Sequence, residues 1–330
     1  MKALVTGSTG FVGANLCRAL VERGWSVRAL HRASSRLEAL AGVEVEHVIG
    51  DVVEPETLPA ALRGCDVVFH VAAVADYWRQ NTDKIYRVNV EGTRAVCQAA
   101  LEAKVKRLVF TSSVASLGIS RPGELVDESH EFNLPPQRFP YGHSKLLAED
   151  VVRDAKRVVH GLEAVIVNPS VILGPGDLNL ISGSIVVEYA RRRVPPVYPP
   201  GGVNYIDVAD VCAGHIAAAE RGKTGERYIL AAHNLTHKKA AQIVCQVVGA
   251  PMPRLPLPRA LIGPLAATVD LAAKIARRPL PLNGDQLRLS AEFIYFDSSK
   301  AVRELGLPQT PFRETVERTY QWYQAHSYLA

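Results

Sequence analysis

The stretch KALVTGSTGFVG at residues 2–13 decides the fold of this chain. Its first part, residues 2–6, is an apolar run typical of a buried β-strand, and residues 11–23 then show the apolar spacing of a helix. Glycines recur at three-residue spacing through the turn between them. Such glycines let a pyrophosphate approach the positive end of the helix, although they also occur in purely structural turns. The stretch therefore predicts a dinucleotide site formed by Gly7, Thr9, Gly10, Phe11 and Val12.

Strand-like and helix-like segments alternate through the first half of the chain. The strand-like runs are rich in valine, and the segments between them have the periodicity of amphipathic helices. This alternation predicts an α/β fold, a Rossmann-type doubly wound parallel sheet with helices on both faces. The predicted strands after the first are 27–30, 43–48, 67–70, 107–111 and 164–167, and the helices are 11–23, 55–62, 82–103 and 141–159.

The second half of the chain is less regular. Proline and glycine become frequent after about residue 173, and a strand-then-helix pattern returns over residues 204–221. Ligands of such folds bind beyond the carboxyl ends of the strands, so we expect a smaller C-terminal substrate subdomain at that edge, interleaved with the sheet. The predicted dinucleotide-binding domain comprises residues 1–172 and about 203–230, and the substrate-binding subdomain about 173–202 and 231–330.

The composition is that of an ordinary globular protein, with 48% hydrophobic and 22% charged residues and a formal net charge of +5. The basic residues are spread along the chain, and the run of arginines at 191–193 resembles a solvated helix end, so nucleic acid is not indicated. The five cysteines are scattered without a CxxC pair, which favours reduced thiols, and no metal site is indicated. No apolar leader precedes the first strand, so we expect a cytoplasmic protein.

Residues 255–275 form the most apolar stretch of the second half. Arg259, Asp270, Lys274 and several prolines interrupt it, which makes it a poor membrane span. We expect a helix that packs against the rest of the molecule. A substrate lid or a segment lying on a membrane surface is the alternative.

A second motif, YGHSK at residues 141–145, opens a predicted helix and places Tyr141 and Lys145 on one face. The serine Ser113 follows a predicted strand, at the sheet edge where ligands bind. A tyrosine transfers protons poorly at neutral pH unless a positive neighbour such as Lys145 stabilises its phenolate. Ser113 can hold a substrate oxygen while Tyr141 transfers the proton. These residues predict oxidation or reduction at a carbinol carbon with hydride exchanged by a nicotinamide, whereas a surface Tyr–Lys pair near a serine turn is the plain alternative.

Several motifs in order make the chain resemble an extended short-chain dehydrogenase/reductase of the NAD-dependent epimerase/dehydratase family. The tail at 296–306 is similar to the branch that contains dihydroflavonol-4-reductase-like enzymes and hopanoid-associated sugar epimerases. The matching motifs are TGSTGFVG at 6–13, HVAA at 70–73, NVEGT at 89–93, TSS at 111–113, YGHSK at 141–145 and NPS at 168–170.

The resemblance implies a role for each matched position. Tyr141 is the acid–base residue, assisted by Ser113 and Lys145, and both Tyr141 and Lys145 also contact the cofactor. For Asn89, a role in the site and a plain helix cap remain equally open. The remaining cofactor contacts implied are Asp51 and Val52 at the adenine, Ala72 and Ala73 along the cofactor, and Pro169 and Ser170 at the carboxamide.

The end of the second predicted strand bears on the choice of cofactor. Sites for NAD usually place a carboxylate there, about 20 residues beyond the glycines, to bind the ribose hydroxyl. This chain has Leu30, His31 and Arg32 and no acidic residue. The planar donors of Arg32 suit a 2′-phosphate, so we predict NADP in preference to NAD. A plain solvated loop residue is the alternative for Arg32.

The type of reaction follows less directly from the sequence than the cofactor does. Dehydratases of the family carry an Asp-Glu pair after the catalytic hydroxyl residue, where this chain has Val114 and Ala115, so dehydration is disfavoured. We favour NADP-dependent reduction of an aldehyde or ketone, with a sugar or nucleotide-sugar epimerase as the alternative and a non-enzymatic dinucleotide-binding protein as a third hypothesis. The partner expected is a small-molecule substrate, for which Tyr77 and Trp78 are candidate pocket walls, with ordinary core packing as the equal alternative. A homodimer is compatible with the resemblance.

Overall fold

The computed structural model describes residues 1–75, 81–120, 123–158, 162–194, 196–276 and 283–329. Tyr77 and Trp78 lie outside the described residues. The strands are β1 Lys2–Thr6, β2 Ser26–His31, β3 Glu46–Ile49, β4 Val67–His70, β5 Arg107–Thr111, β6 Glu163–Pro169, β7 Val171–Leu173, β8 Val197–Tyr198, β9 Gly202–Asp207, β10 Arg227–Leu230, β11 His233–Thr236, β12 Leu255–Pro256 and β13 Phe293–Ile294. The helices are α1 Phe11–Glu22, α2 Leu58–Leu62, α3 Thr82–Tyr86, α4 Gly92–Glu102, α5 Pro140–Val158, α6 Ser184–Ala190, α7 Val208–Arg221, α8 His237–Val248, α9 Arg259–Ala276, α10 Gly284–Leu289, α11 Ser299–Leu305 and α12 Phe312–Ala325.

The larger sheet contains seven strands in the order β10-β6-β5-β4-β1-β2-β3, and all its pairings are parallel. The strand order reverses between β1 and β4, because the chain builds outward from β1 on one side and then crosses to the other. Dinucleotides bind at such reversal points, beyond the carboxyl ends of the strands. The predicted doubly wound α/β fold is confirmed.

Both faces of the central strands β1, β4 and β5 are buried, which is why these strands are mainly apolar. In β1 the side chains of Ala3 and Val5 pack into one core cluster with residues of α1, α7 and α11. Leu4 points to the opposite cluster, which is built with residues of α2, α4 and α5. Helices on both faces therefore hold the carboxyl ends of β1 and its neighbours in fixed positions.

A second sheet lies in the C-terminal half. Its strands run in the order β11-β9-β13, and β7 also pairs with β9. Helices α6, α8 and α12 contribute Val186, Val244 and Val316 to the core cluster beneath it. The segment 203–230 is divided between the sheets, since β9 belongs to the smaller one while β10 is the edge strand of the larger one. This segment therefore runs through both substructures, as does the chain from β6 to β7, and the domain boundaries stay a prediction.

Some predicted elements differ in detail. The third strand begins at Glu46 rather than at residue 43. The helix predicted over 82–103 is interrupted by a π-helical turn, Arg87–Glu91, at the buried Asn89. Helix α9 occupies most of the apolar stretch 255–275 and packs against α10. Within the described parts of the chain, no helix combines the length and apolar character needed to cross a bilayer.

Candidate functional site

The turn between β1 and α1 brings backbone segments unusually close together. Gly7 has a φ of +65°, and a Cβ there would lie 2.7 Å from the Ala72 Cα. A Cβ at Gly13 would lie 2.1 Å from the Gly7 carbonyl oxygen. Larger residues at these two positions would force the strand, the turn and the helix apart, so the local packing requires glycine there.

The amino end of α1 is open toward the carboxyl edge of the sheet. Its N-cap, Gly10, has no side chain to bond the first-turn N–H groups, and the Gly10 N–H donates to the Gly7 carbonyl oxygen at 3.0 Å. Ser8 anchors the turn by donating its hydroxyl to the Leu30 carbonyl oxygen at 2.9 Å. Thr9 and Val12 are half-buried around this end, and Phe11 is buried. Unpaired N–H groups at a positive helix end fit a pyrophosphate.

The ends of β2 and β3 lie side by side next to this turn. Arg32 is exposed just beyond β2, and it forms no ion pair within the described residues. His31 beside it contacts the His47 ring at 3.2 Å between nitrogens. Asp51, just beyond β3, accepts a hydrogen bond from the Val53 N–H at 3.2 Å, while Val52 is buried. A cation and a carboxylate therefore flank the position expected for an adenosine.

Buried His70 fixes the loop that carries Ala72 and Ala73. Thr6 Oγ1 accepts the Ala72 N–H at 3.1 Å and lies 2.8 Å from His70 Nδ1, so its own proton goes to that nitrogen. His70 Nε2 then donates to Thr93 Oγ1 at 3.0 Å. Burial lowers the pKa of His70 to about 3, with the charge of a nearby lysine acting in the same direction, and the ring is neutral. The network holds the loop against Gly7, and sequence analysis assigned His70 no role.

The predicted catalytic side chains come together at the carboxyl end of β5. Ser113 and Tyr141 are both buried, and a hydrogen bond joins their side chains. Burial raises the pKa of Tyr141 to about 12, and the bond with Ser113 acts in the opposite direction. Tyr141 is therefore a neutral phenol that can donate a proton.

Lys145 follows Tyr141 by one turn of α5. Its Nζ donates to the Thr111 carbonyl oxygen at 2.7 Å and lies 5.1 Å from the centre of the Phe110 ring. Burial lowers the pKa of Lys145 to about 7, and the Glu149 carboxylate acts in the opposite direction. An ammonium has three donors and one is used by Thr111, so others remain for a ribose or a phenolate.

Glu149 is a functional candidate that the sequence analysis missed. Its side chain is fully buried one turn beyond Lys145, and its Oε1 accepts from Ser112 Oγ at 2.5 Å and Ser116 Oγ at 2.7 Å. Oε1 also accepts from the Asn168 amide at 2.7 Å. The signal was the four-residue spacing from Lys145, since that spacing places both side chains on one helix face.

Asn89 connects two parts of the site. Its amide group exchanges hydrogen bonds with the Val74 backbone, at 2.8 Å to the N–H and 3.2 Å to the carbonyl. It also donates to Ser144 Oγ at 3.0 Å, and Ser144 donates to the Tyr141 carbonyl at 2.7 Å. The side chain therefore ties the Ala72–Ala73 loop to the helix of Tyr141, which favours a role in the site over a plain helix cap.

Pro169 and Ser170 lie at the end of β6. Ser170 Oγ donates to Asn204 Oδ1 on β9 at 2.7 Å, and its N–H donates to the Leu230 carbonyl at 3.0 Å. This pair thus lies where the larger and smaller sheets meet. The geometry brings together the glycine turn, the Ala72 loop and the Ser113–Tyr141–Lys145 group along one edge of the larger sheet.

Comparisons with known proteins agree with this geometry. The model of the NAD dependent epimerase/dehydratase family matches residues 3–231. A Synechocystis protein provisionally named dihydroflavonol 4-reductase is 39% identical over 98% of this chain and 95% of its own length. A 4-hydroxy-2-methyl-3-oxo-4-farnesyl-3,4-dihydroquinoline-1-oxide ketoreductase of Stigmatella aurantiaca is 37% identical over 70% of this chain and 68% of its own. The solved structure of a nucleoside-diphosphate-sugar epimerase from Pseudomonas aeruginosa superposes with a TM-score of 0.81, at 27% identity, over 100% of this chain and 99% of its own.

Proposed function

Because the chain belongs to the NAD dependent epimerase/dehydratase family and is an NAD(P)-dependent enzyme, we propose that it reduces an aldehyde or ketone to an alcohol with NADPH. The resemblance inferred from the motifs is confirmed by the family match. The proposal rests on the hydrogen-bonded pair Ser113 and Tyr141, with Lys145 buried one turn away. The two relatives named as reductases support reduction as the direction.

The protein residues account for the proton in this reaction. When bound, the reduced nicotinamide supplies a hydride to the carbonyl carbon. Ser113 holds the carbonyl oxygen, and the Tyr141 hydroxyl gives its proton to that oxygen, which completes the alcohol. The phenolate left on Tyr141 is stabilised by the Lys145 ammonium until a proton from solvent restores it.

The same proposal assigns the cofactor contacts. The open end of α1, with Gly7 and Gly10, holds the pyrophosphate. Arg32 binds the 2′-phosphate of NADP, which is supported by its exposed position beyond β2 and by the lack of an acidic residue there. The remaining contacts are Thr9, Phe11 and Val12 near the phosphates, Asp51 and Val52 at the adenine, Ala72 and Ala73 along the cofactor, and Pro169 and Ser170 at the carboxamide.

The test is calorimetric titration of the purified protein with NADP and with NAD, followed by NADPH turnover with a panel of aldehydes and ketones. We expect NADP to bind at least about tenfold more tightly, a difference of about 1.4 kcal/mol. Arg32→Asp should remove that preference. Tyr141→Phe is the matched control, since it should keep nearly all of the NADP affinity and lose turnover.

Other results would point elsewhere. NAD that copurifies and does not exchange, with no consumption of NADPH, would support the epimerase alternative that the Pseudomonas aeruginosa structure suggests. An unchanged NADP-to-NAD ratio in Arg32→Asp would remove Arg32 from the 2′ site. Turnover that survives Tyr141→Phe would contradict the assignment of proton transfer.

A further inference from the structure

Helix α9 presents an exposed row of large apolar side chains. Leu261 is 49% exposed, Leu265 42%, Leu271 58% and Ile275 75%. Exposed leucines scattered singly are ordinary on protein surfaces, but a row along one helix is not. We therefore expect this apolar row to be covered by a binding partner.

The side chains of α9 fall into three sectors around its axis. Ile262 and Ala266 are buried on the side that packs into the protein. At about 100° per residue, Leu261, Leu265, Leu271 and Ile275 fall within an arc of about 120°, joined there by Pro264, Thr268 and Ala272. Arg259, Asp270 and Lys274 lie together on a third side, so charged residues border the apolar sector without interrupting it.

The sequence in and around this helix is mostly basic. The sequence 251–283 contains Arg254, Arg259, Lys274, Arg277 and Arg278, and Asp270 is its one acidic residue. The Asp270 carboxylate accepts from Arg288 at 2.9 Å and from the Gly284 N–H at 3.0 Å, and Arg259 is paired with Glu292 at 2.8 Å. The positive excess therefore comes from the other basic residues of this segment. Two copies of this chain meeting through α9 would bring like charges together, whereas an anionic surface would be attracted.

We propose that the apolar sector of α9 lies in the surface of an anionic lipid bilayer. A helix with an apolar face and basic flanks binds in the headgroup region through buried apolar area and attraction to anionic lipids, without crossing the bilayer. The three charged residues within α9 exclude a span in any case. This inference does not depend on the reaction proposed above.

The position of α9 gives the docking a consequence for the active site. Helix α9 packs on α10, whose Asp285 forms an ion pair with Arg138. Arg138 lies three residues before Tyr141, so this ion pair joins α10 to the segment that leads into the helix of the predicted catalytic residues. Binding of α9 to a bilayer would therefore act on this segment through α10 and the Arg138–Asp285 ion pair.

The test is sedimentation of the full-length protein with vesicles of phosphatidylcholine alone or mixed with phosphatidylglycerol. We expect binding to the anionic vesicles to be at least about tenfold tighter and to weaken with salt. The double variant Leu271→Asp/Ile275→Asp should lose at least about tenfold in affinity, and Lys274→Glu should reduce the preference for anionic vesicles. The matched control is Leu125→Asp/Val302→Asp, which changes exposed apolar residues outside α9 and should bind like the wild type.

Three results would overturn the proposal. Wild-type protein could fail to sediment with either vesicle, or the control could lose as much binding as the α9 variant. A wild-type dimer that Leu271→Asp/Ile275→Asp converts to a monomer in sedimentation velocity, without vesicles, would make a second copy the occupant. NADP titration of each variant checks folding.

NADPH turnover without vesicle binding would count against this inference alone, and vesicle binding without turnover would count against the proposed reaction alone.

Discussion

At the scale of single residues, burial acts in opposite directions on the two proton-handling groups of the site. It raises the pKa of the Tyr141 phenol to about 12 and lowers the pKa of the Lys145 ammonium to about 7. Both shifts favour the uncharged form of the residue. The Glu149 carboxylate favours charged Lys145, and it also accepts hydrogen bonds from Ser112 and Ser116, which lie on either side of Ser113 in the sequence. We therefore regard Glu149 as a positioning residue whose charge matters.

The first residue-scale prediction concerns Glu149→Gln. Reduction needs charged Lys145, so the rate should fall as the pH rises through the Lys145 pKa, near 7 in the free enzyme. Removing the carboxylate charge lowers that pKa further, and the fall should begin at lower pH. The pH profile of kcat/KM for NADPH measures this. The neighbouring Asp150→Asn, at an exposed carboxylate, is the control and should keep the wild-type profile. If Glu149→Gln lowered kcat/KM by the same factor at every pH and did not shift the profile, Glu149 would have a structural role only.

At the scale of secondary-structure elements, the sequence was sufficient to predict the strands and helices that depend on local residue patterns. The glycine spacing of residues 7–13 and the valine-rich runs predicted β1, α1 and the parallel sheet, because buried strands and close backbone approach restrict the residue types allowed. The motif at 141–145 placed Tyr141 and Lys145 on one helix face for the same kind of reason.

The remaining features depend on contacts between residues distant in sequence. The pairing of β9 with β7, β11 and β13 could not be inferred, since its sequence continues directly into α7 like any strand of the larger sheet. The π-helical turn at Asn89 accompanies that residue's bonds to Val74 and Ser144, and the burial of Glu149 depends on Asn168. The roles of the site residues themselves remain predictions.

The element-scale prediction concerns the turn between β1 and α1. Gly7→Ala should destabilise the fold and weaken NADP binding, because the new Cβ meets the Ala72 backbone and φ is +65°. Gly42→Ala is a matched control, since Gly42 has a φ of +74° with no heavy atom near a Cβ, so it carries the backbone strain alone. We expect Gly42→Ala to cost about 1 kcal/mol of unfolding free energy and to leave NADP affinity unchanged. Urea unfolding and calorimetry measure both quantities. Equal losses in the two variants would mean that close approach to Ala72 has no part in binding.

At the scale of the whole molecule, two buried histidines link stability to pH. Burial lowers the pKa of His70 to about 3 and that of His215 to about 4. His215 donates Nδ1–H to the Val211 carbonyl at 2.8 Å and accepts from Thr111 Oγ1 at 2.8 Å, so it is neutral like His70. In the unfolded chain both rings take up protons near pH 6.5. Between about pH 6.5 and the lower pKa values of the folded state, the rings are therefore protonated in the unfolded chain only, and acid favours unfolding.

The corresponding prediction is that the free energy of unfolding falls as the pH decreases from about 6.5 to about 5. The unfolded state binds more protons in this window, and each histidine contributes a slope of up to about 1.4 kcal/mol per pH unit. His215→Gln should remove roughly half of that combined slope in urea unfolding series, even if its stability at pH 7 is lower. His326→Gln, at an exposed histidine, is the control and should keep the full slope. Without its imidazole, residue 215 takes up no proton on unfolding. If the free energy of unfolding of His215→Gln depended on pH as steeply as that of the wild type, other groups would be responsible for the acid sensitivity.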